Sequence, residues 1–322
     1  MSRTAATAIA LALSVPAAGW AQAQQPVRLT PRFTPGQTLR YAMDFRAEQE
    51  GASAGAIQGA QTPRKAEVSV SALLRIDVLR IEPGTPTRGE RFRLSGTYEK
   101  LASTTKLDVP GAAVDNEEQL HKLEGRSLEF TLDADGKVSD VTGLEDLLPE
   151  RSKSAAQWLG QFGVSVPRTG VVPGQKWDAG ERAIEGPPIA GVVWRGESTY
   201  LRNEPCRLAN LNAAVKPEPA TSTETCAVIL TRFEVASRDA RADPTPPEFR
   251  QRNLRSKGSI TGSGESLAYV SLATGWLVSL TQSSTDATDV TITSLDSGTA
   301  VRFTSRSRTQ SSIALVRDSP AQ

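Results

Sequence analysis

Two segments of this 322-residue chain recur in the same order further along, which indicates an internal duplication. TPGQTL (34–39) returns as VPGQKW (172–177), 138 residues later. GRSLEFTLDADGKV (125–138) aligns with GESLAYVSLATGWL (264–277), 139 residues later. Either match alone is weak, but two matches at nearly one offset point to a tandem repeat.

We therefore predict two β modules, at residues 24–150 and 165–322. From Val68 to Val78 every second residue is apolar, and Leu128–Leu132 and Trp276–Leu280 repeat this alternation. Period-two alternation is typical of strands with one face on a core and the other in water. The predicted fold class is mainly β: a tandem repeat of two antiparallel, curved β-sheet modules with a minor α component. The sequence leaves open whether the modules form separate barrels or one continuous sheet.

Residues 151–164, between the two modules, show helical spacing instead. Ala155, Trp158, Leu159 and Phe162 fall on one face of a helix. We predict a connector helix that packs this face on a sheet, which is a commoner use of such a stripe than binding a partner.

The first 23 residues have the pattern of a signal peptide. Arg3 precedes the apolar run Ala5–Val15, and Ala21–Ala23 supplies the small-x-small motif of a cleavage site. The apolar run is too short to span a bilayer as a helix. We predict cleavage after Ala23, a mature chain with no transmembrane segment, and a periplasmic or secreted location.

Cys206 and Cys226 are the only cysteines. In an oxidising compartment an even pair indicates a disulfide. A catalytic or metal-binding thiol pair is the rival interpretation, but the two lack C-x-x-C spacing and a nearby histidine. We predict a structural bridge across a hairpin, worth about 3 kcal/mol in the chain-entropy description.

The segment TLDADGKVSD (131–140) resembles both a calcium loop and a hairpin turn. Counting from Thr131 puts Asp133 and Asp135 at ligand positions, but Thr131 and Thr142 occupy the first and twelfth positions, where a calcium loop needs acidic ligands. Its counterpart SLATGWL (271–277) keeps the glycine and loses both aspartates. The hairpin turn is therefore the favoured interpretation.

Residues with enzymatic potential are few. His121 is the only histidine, which excludes multi-histidine metal sites and leaves one imidazole for any triad. GASAG (51–55) matches the G-x-S-x-G elbow by letter, but no helix pattern follows it. We therefore assign no catalytic, cofactor-binding or metal-binding residue and predict that the protein is not an enzyme.

Charge also limits the partners. The formal net charge is +1, so no overall field draws the chain to nucleic acid. Arg302, Arg306 and Arg308 share one face of a predicted strand and could contact an anionic group. Because no aromatic residues are interleaved with them, we interpret this face as solvated.

The motifs P-G-Q-x-L-x-Y near the mature start and G-x-S-L-E-F-x-L-D-x-x-G-x-V (125–138) resemble those of uncharacterised secreted β-rich domains of Gram-negative bacteria. This resemblance implies strands and turns and carries over no functional residue. A curved sheet with a helix packed on it is also similar in architecture to periplasmic lipoprotein-carrier half-barrels, an analogy that does not fix function.

Three functions remain as hypotheses. The first is a non-enzymatic cell-envelope protein that binds or scaffolds an unknown protein partner. The alternative is a periplasmic carrier of an apolar ligand, a lipid or lipoprotein acyl chain, and the third is a hydrolase. On the carrier hypothesis the residues predicted to line an apolar cavity are Phe130, Trp158, Phe162 and Tyr269.

Overall fold

The computed structural model describes most of the chain after residue 24. The described residues are 25–55, 59–60, 64–84, 89–108, 123–134, 136–143, 159, 162, 164, 166–184, 188–210, 220–239 and 241–317. The predicted signal peptide and most of the predicted connector helix lie outside this set, as do His121, Asp135 and Trp158.

The fold is mainly β, as predicted, with twelve strands and one short helix that has both ends within the described residues; Leu159 is also helical. The strands are β1 Thr38–Gly55, β2 Gly59–Ala60, β3 Arg64–Glu82, β4 Arg91–Leu107, β5 Ser127–Asp133, β6 Val138–Thr142, β7 Lys176–Ile184, β8 Val192–Asn210, β9 Ala220–Ser237, β10 Leu254–Ser271, β11 Leu277–Ser294 and β12 Ala300–Arg317, and the helix is α1 Pro247–Gln251. Eight of the strands have 17 to 19 residues. A strand of that length extends roughly 60 Å.

All twelve strands belong to one sheet, which answers the question that the sequence leaves open. The order across the sheet is β6-β5-β4-β3-β1-β12-β11-β10-β9-β8-β7, with β2 paired to β1 alone. Each module is an antiparallel meander, and β12 joins them by pairing with β1 over a register that runs from Tyr41 opposite Leu315 to Gly55 opposite Val301. The last residues of β12 also pair in parallel with the end of β8.

The two P-G-Q segments make matching backbone hydrogen bonds. Gly36 and Gly174 both have positive φ, at 79° and 86°. Gly36 N donates to Val78 O on β3 at 2.9 Å, and Gly174 N donates to Tyr200 O on β8. The two P-G-Q segments thus form the same turn and start the first strand of each meander.

The turns between β5 and β6 and between β10 and β11 also correspond. Gly136 and Gly275 adopt φ values of 80° and 69°, the conformation that these turns require of glycine. In the first turn the Asp133 carboxylate accepts a hydrogen bond from Lys137 N at 2.8 Å. Because β5 and β6 pair as antiparallel strands through this turn, the hairpin interpretation is confirmed.

One apolar cluster joins both modules at one end of the long strands. It combines Leu74 and Phe130 of the first module with Ile229 and Ile313 of the second. Leu159, from the predicted connector, is fully buried in it.

A segment outside the sheet covers the mouth of this cluster. Val27 to Phe33, here termed the N-terminal strap, runs between the two modules. Leu29 is buried, and the Phe33 ring lies edge-on to Phe92 with its centroid 4.9 Å away.

The middle of the sheet is polar on both faces. Between Thr281 and Asp289, β11 contains no apolar residue larger than alanine, and between Thr304 and Ser312, β12 contains none at all. A second apolar cluster, Ile189, Val192, Val235 and Val290, lies towards the other end of the strands. Apolar ends therefore fix the register of strands whose centres carry little hydrophobic alternation.

Candidate functional site

The polar middle region contains a groove that crosses seven neighbouring strands. It has a volume of about 700 Å³ and is lined by residues of β4, β3, β1, β12, β11, β10 and β9. Because β1 and β12 form the seam between the modules, both modules contribute to this groove, here termed the cross-strand groove.

Register shows which face carries the groove. Glu265 on β10 stands opposite Ser283 on β11, and Ser283 stands opposite Gln310 on β12. Gln310 is in turn opposite Arg46 on β1. Directly opposed residues share a face, and all four side chains are exposed. The alternate residues, such as Phe45, face the side of the sheet that leads into the apolar core.

Two further cavities continue the groove on the same face. One of about 780 Å³ shares Glu265, Ser283 and Gln310 with it and extends to β8. The other, of about 620 Å³, lies between β12 and β4 and shares Arg308 with the 780 Å³ cavity. The three together form a continuous recessed surface across most of the sheet.

Most side chains that line the cross-strand groove end in hydroxyl, amide or charged groups, although carbon atoms supply more of its exposed surface than oxygen and nitrogen atoms do. Three apolar side chains lie on its exposed face: Ala102 on β4, Leu230 on β9 and Leu267 on β10. None of these strands is at the seam between β1 and β12. The other side chains on that face are Asp44, Arg46, Ser69, Ser71, Thr104, Glu265, Thr281, Ser283, Gln310 and Ser312. The groove can therefore donate and accept many hydrogen bonds.

The charges on this face balance one another. Arg46 contacts Glu48 and Glu67, each at 3.1 Å, and Arg232 lies 3.9 Å from Glu265. The arginine side chains are more than half exposed, so each pair contributes little to stability. Such a mosaic is suited to selecting a partner of complementary charge pattern.

The three arginines of β12 have different surroundings. Arg302 makes a bidentate contact with Asp289, at 2.8 and 2.6 Å. Arg306 and Arg308 line the 620 Å³ cavity, and each stands opposite a glutamate of β1, Glu50 for Arg306 and Glu48 for Arg308. This face is thus a mixed-charge surface, in keeping with its interpretation as solvated.

Asp286 and Asp289 of β11 lie on opposite faces and differ in their titration. Burial raises the pKa of Asp286, and a hydrogen bond from Ser307 partly offsets this rise. The hydrogen bonds from Arg302 lower the pKa of Asp289. Folding therefore disfavours the ionised form of Asp286 and favours the ionised form of Asp289.

We expect Asp286→Asn and Asp289→Asn to change stability in opposite directions. A raised folded-state pKa costs stability above the unfolded-state value of about 4, so Asp286→Asn should raise Tm at about pH 7. A lowered folded-state pKa contributes stability above that value and loses it in acid, so Asp289→Asn should lower Tm at about pH 7. Thermal unfolding from about pH 3 to pH 7 checks both. Parallel curves for the two variants would contradict the assignment.

The structure places the predicted cavity residues in close-packed surroundings. Phe130 and Phe162 are buried around a void of only about 30 Å³. Tyr269 lies in a separate cluster with Cys206 and Cys226. Trp158 is outside the described residues. None of the described three lines the cross-strand groove.

The predicted disulfide between Cys206 and Cys226 is present and joins β8 to β9. Both cysteines are buried, and they pack against Val228 and Tyr269. A buried cross-strand bridge of this kind is structural, and disulfides are typical of an oxidising, extracytoplasmic environment.

The remaining motif with catalytic potential, GASAG, lies in a regular β-strand. GASAG (51–55) is the end of β1, paired with β12 from Gly51 opposite Ser305 to Gly55 opposite Val301. A strand within an antiparallel ladder is not a nucleophile elbow. Across the part of the chain that the structure describes, no group of three or more His, Cys, Asp or Glu residues is arranged to hold a metal ion.

Comparison with known proteins gives no family assignment. No protein-family model matches the chain, and no curated protein sequence matches it. Within the described residues, no helix has both the length and the apolar character needed to cross a membrane. The fold and the groove therefore define the class of this protein as a mainly antiparallel, single-sheet β protein with a recessed face lined by many polar side chains.

The sequence alone does not reveal the groove. Its lining residues are common surface types, and they come together because β12 pairs with β1, where the groove residues Arg46 and Gln310 are 264 positions apart and Asp44 and Ser312 are 268 apart. The one sequence feature that indicates the groove is the unusual run of Ser, Thr and Gln in β11 and β12. The apolar periodicity of the flanking residues is a stronger pattern and predicts only strands.

Proposed function

We propose that this protein is a non-enzymatic, extracytoplasmic binding protein that holds an extended polypeptide segment of a partner in the cross-strand groove. The observation that carries the proposal is the groove itself: about 700 Å³, spanning both modules and lined mainly by side chains that end in hydroxyl, amide or charged groups. Binding pockets commonly fall within this range of volume.

The lining favours a polar polymer over an apolar chain. An acyl chain laid across Ser283, Thr281 and Gln310 would remove their polar groups from water without replacing the lost hydrogen bonds, which is costly. An extended peptide instead offers backbone donors and acceptors along its whole length. Sugar ligands are less favoured, because Phe45 is the one aromatic residue at the groove and it faces the core side.

The disulfide and the predicted signal peptide support a location in the periplasm or outside the cell. The balanced charges on the groove face support a protein partner over nucleic acid, which requires a basic surface.

Site-specific photo-crosslinking tests this proposal. A photoreactive amino acid at Ser283, inside the groove, should give a covalent adduct with a discrete protein in the cell that produces this chain. The matched control is Ser297, an exposed serine in the turn between β11 and β12 that lines none of the three cavities. Equal adducts at both positions, or none at Ser283, would contradict the proposal, and a lipid adduct at Ser283 would favour the carrier alternative.

A further inference from the structure

The N-terminal strap packs its apolar side chains Val27, Leu29 and Phe33 on the main apolar cluster, but few hydrogen bonds hold its backbone. Its one strand-like contact is a bridge between Val27 and Val171, with N–O distances of 2.8 and 3.0 Å. The remaining residues of the strap join no strand of the sheet.

The other polar anchors of the strap converge on one turn. Arg32 N donates to Thr274 O at 2.8 Å, and the Arg32 guanidinium donates to Ala273 O at 3.3 Å. The Trp276 indole N–H donates to Arg32 O at 2.9 Å. All three anchors lie at the turn between β10 and β11, so apart from the Val27 bridge and this turn the strap is held by the packing of Leu29 and Phe33.

Beneath the strap lies an incompletely filled apolar space. Leu29, Pro31 and Phe33 form one wall of the void of about 30 Å³. The opposite wall includes Tyr41, Phe130, Phe162, Trp276 and Leu277. The void is large enough for a water, but its apolar lining offers few hydrogen-bond partners, so it suits an apolar group better.

If the strap left, the polar groups around this space would keep their hydrogen bonds or form new ones with water. The Tyr41 hydroxyl, the polar group deepest in that wall, donates to Leu277 O at 3.0 Å, a bond that does not involve the strap. The Trp276 indole N–H would lose its acceptor, but this hydrogen bond is exposed and water can replace it. An apolar ligand could therefore take the place of Leu29, Pro31 and Phe33 without burying an unpaired polar group.

We propose that the strap is a removable cover, and that its release opens a binding site for a long-chain aliphatic ligand. The site lies on the core face of the sheet, whereas the cross-strand groove lies on the exposed face. The two sites are separate, and the proposal does not depend on the function proposed for the groove.

A disulfide lock tests the proposal in the full chain. Hydrogen-bonded antiparallel partners have Cα atoms about 5.5 Å apart, which suits a disulfide. Val27→Cys combined with Val171→Cys should therefore fix the strap when oxidised. With 11-(dansylamino)undecanoic acid as probe, we expect saturable binding to the native protein, at least tenfold weaker binding to the oxidised double variant, and recovery on reduction.

Three further measurements serve as controls for the disulfide-lock experiment. Native protein with and without reductant controls for the Cys206–Cys226 bridge. Phe33→Ala, which removes one ring of the cover, should bind the probe several-fold more tightly, and it keeps the test valid if the locked variant does not fold. Ser283→Trp, in the groove, should leave probe binding unchanged. Absence of saturable binding to the native protein, or equal binding by the oxidised and reduced double variant, would overturn the proposal.

Discussion

Phe130→Ala should lower the free energy of unfolding by about 3–5 kcal/mol, the usual cost of deleting a buried aromatic ring. Phe130 has no exposed surface and packs among residues from both modules. The void near its ring is only about 30 Å³, so the surrounding side chains have little freedom to fill the space that it leaves. Urea unfolding followed by tryptophan fluorescence measures the loss.

Phe303→Ala is the matched control for that variant. Phe303 lies on β12 with 40% of its surface exposed, so the same change should cost less than about 1 kcal/mol. Similar losses for the two variants would show that Phe130 is not in a close-packed core.

Gly275→Ala should be nearly as damaging, at about 3–4 kcal/mol. The backbone at Gly275 has φ of 69°, which alone costs an alanine about 1–2 kcal/mol. A Cβ there would also lie 2.2 Å from Thr30 O in the strap. Backbone atoms must then shift, and the anchors of Arg32 at this turn should weaken.

Gly298→Ala separates these two contributions. Gly298 has nearly the same φ, 70°, but a Cβ there would meet nothing within 4 Å. We expect a loss of about 1–2 kcal/mol from backbone strain alone. Equal losses at Gly275 and Gly298 in urea unfolding would mean that the strap does not press on the turn at residue 275.

The parts of the fold that were predictable from sequence are local. Alternation from Val68 to Val78 predicts β3, and the paired P-G-Q segments predict equivalent turns at Gly36 and Gly174. Cys206 and Cys226 predict their own bridge. In each case a few neighbouring residues carry the signal, and burial of one face or the need for positive φ explains it.

Long-range features were not predictable in the same way. Nothing in β12 distinguishes β1 as its partner, because one face of its centre carries only Ser and Thr and the other carries Thr, Arg, Gln and Ser. Register there is fixed by apolar residues at the strand ends, such as Ile313 opposite Met43. The groove follows from that pairing, so its residues could not be identified before the pairing was known.

The candidate cavity residues illustrate the same limit. An aromatic residue on a predicted strand is equally consistent with a cavity wall and with a packed core. Phe130, Phe162 and Tyr269 are buried, and the larger space lies among small polar residues on the other face. The predicted connector helix and signal peptide lie mostly or wholly outside the described residues and stay predictions.

The distance between two spin labels would measure whether both modules build one groove across a continuous sheet. Thr104 on β4 and Arg232 on β9 are exposed and stand in one cross-strand row of seven residues. Six strand spacings amount to about 29 Å for a flat sheet and less for a curved one. There are no free cysteines among the described residues, so Thr104→Cys with Arg232→Cys can be labelled selectively. We predict one narrow distance distribution of about 29 Å or less between the labelled backbones. A broad distribution, or one centred well beyond that distance, would show that the modules move independently and would contradict the shared groove.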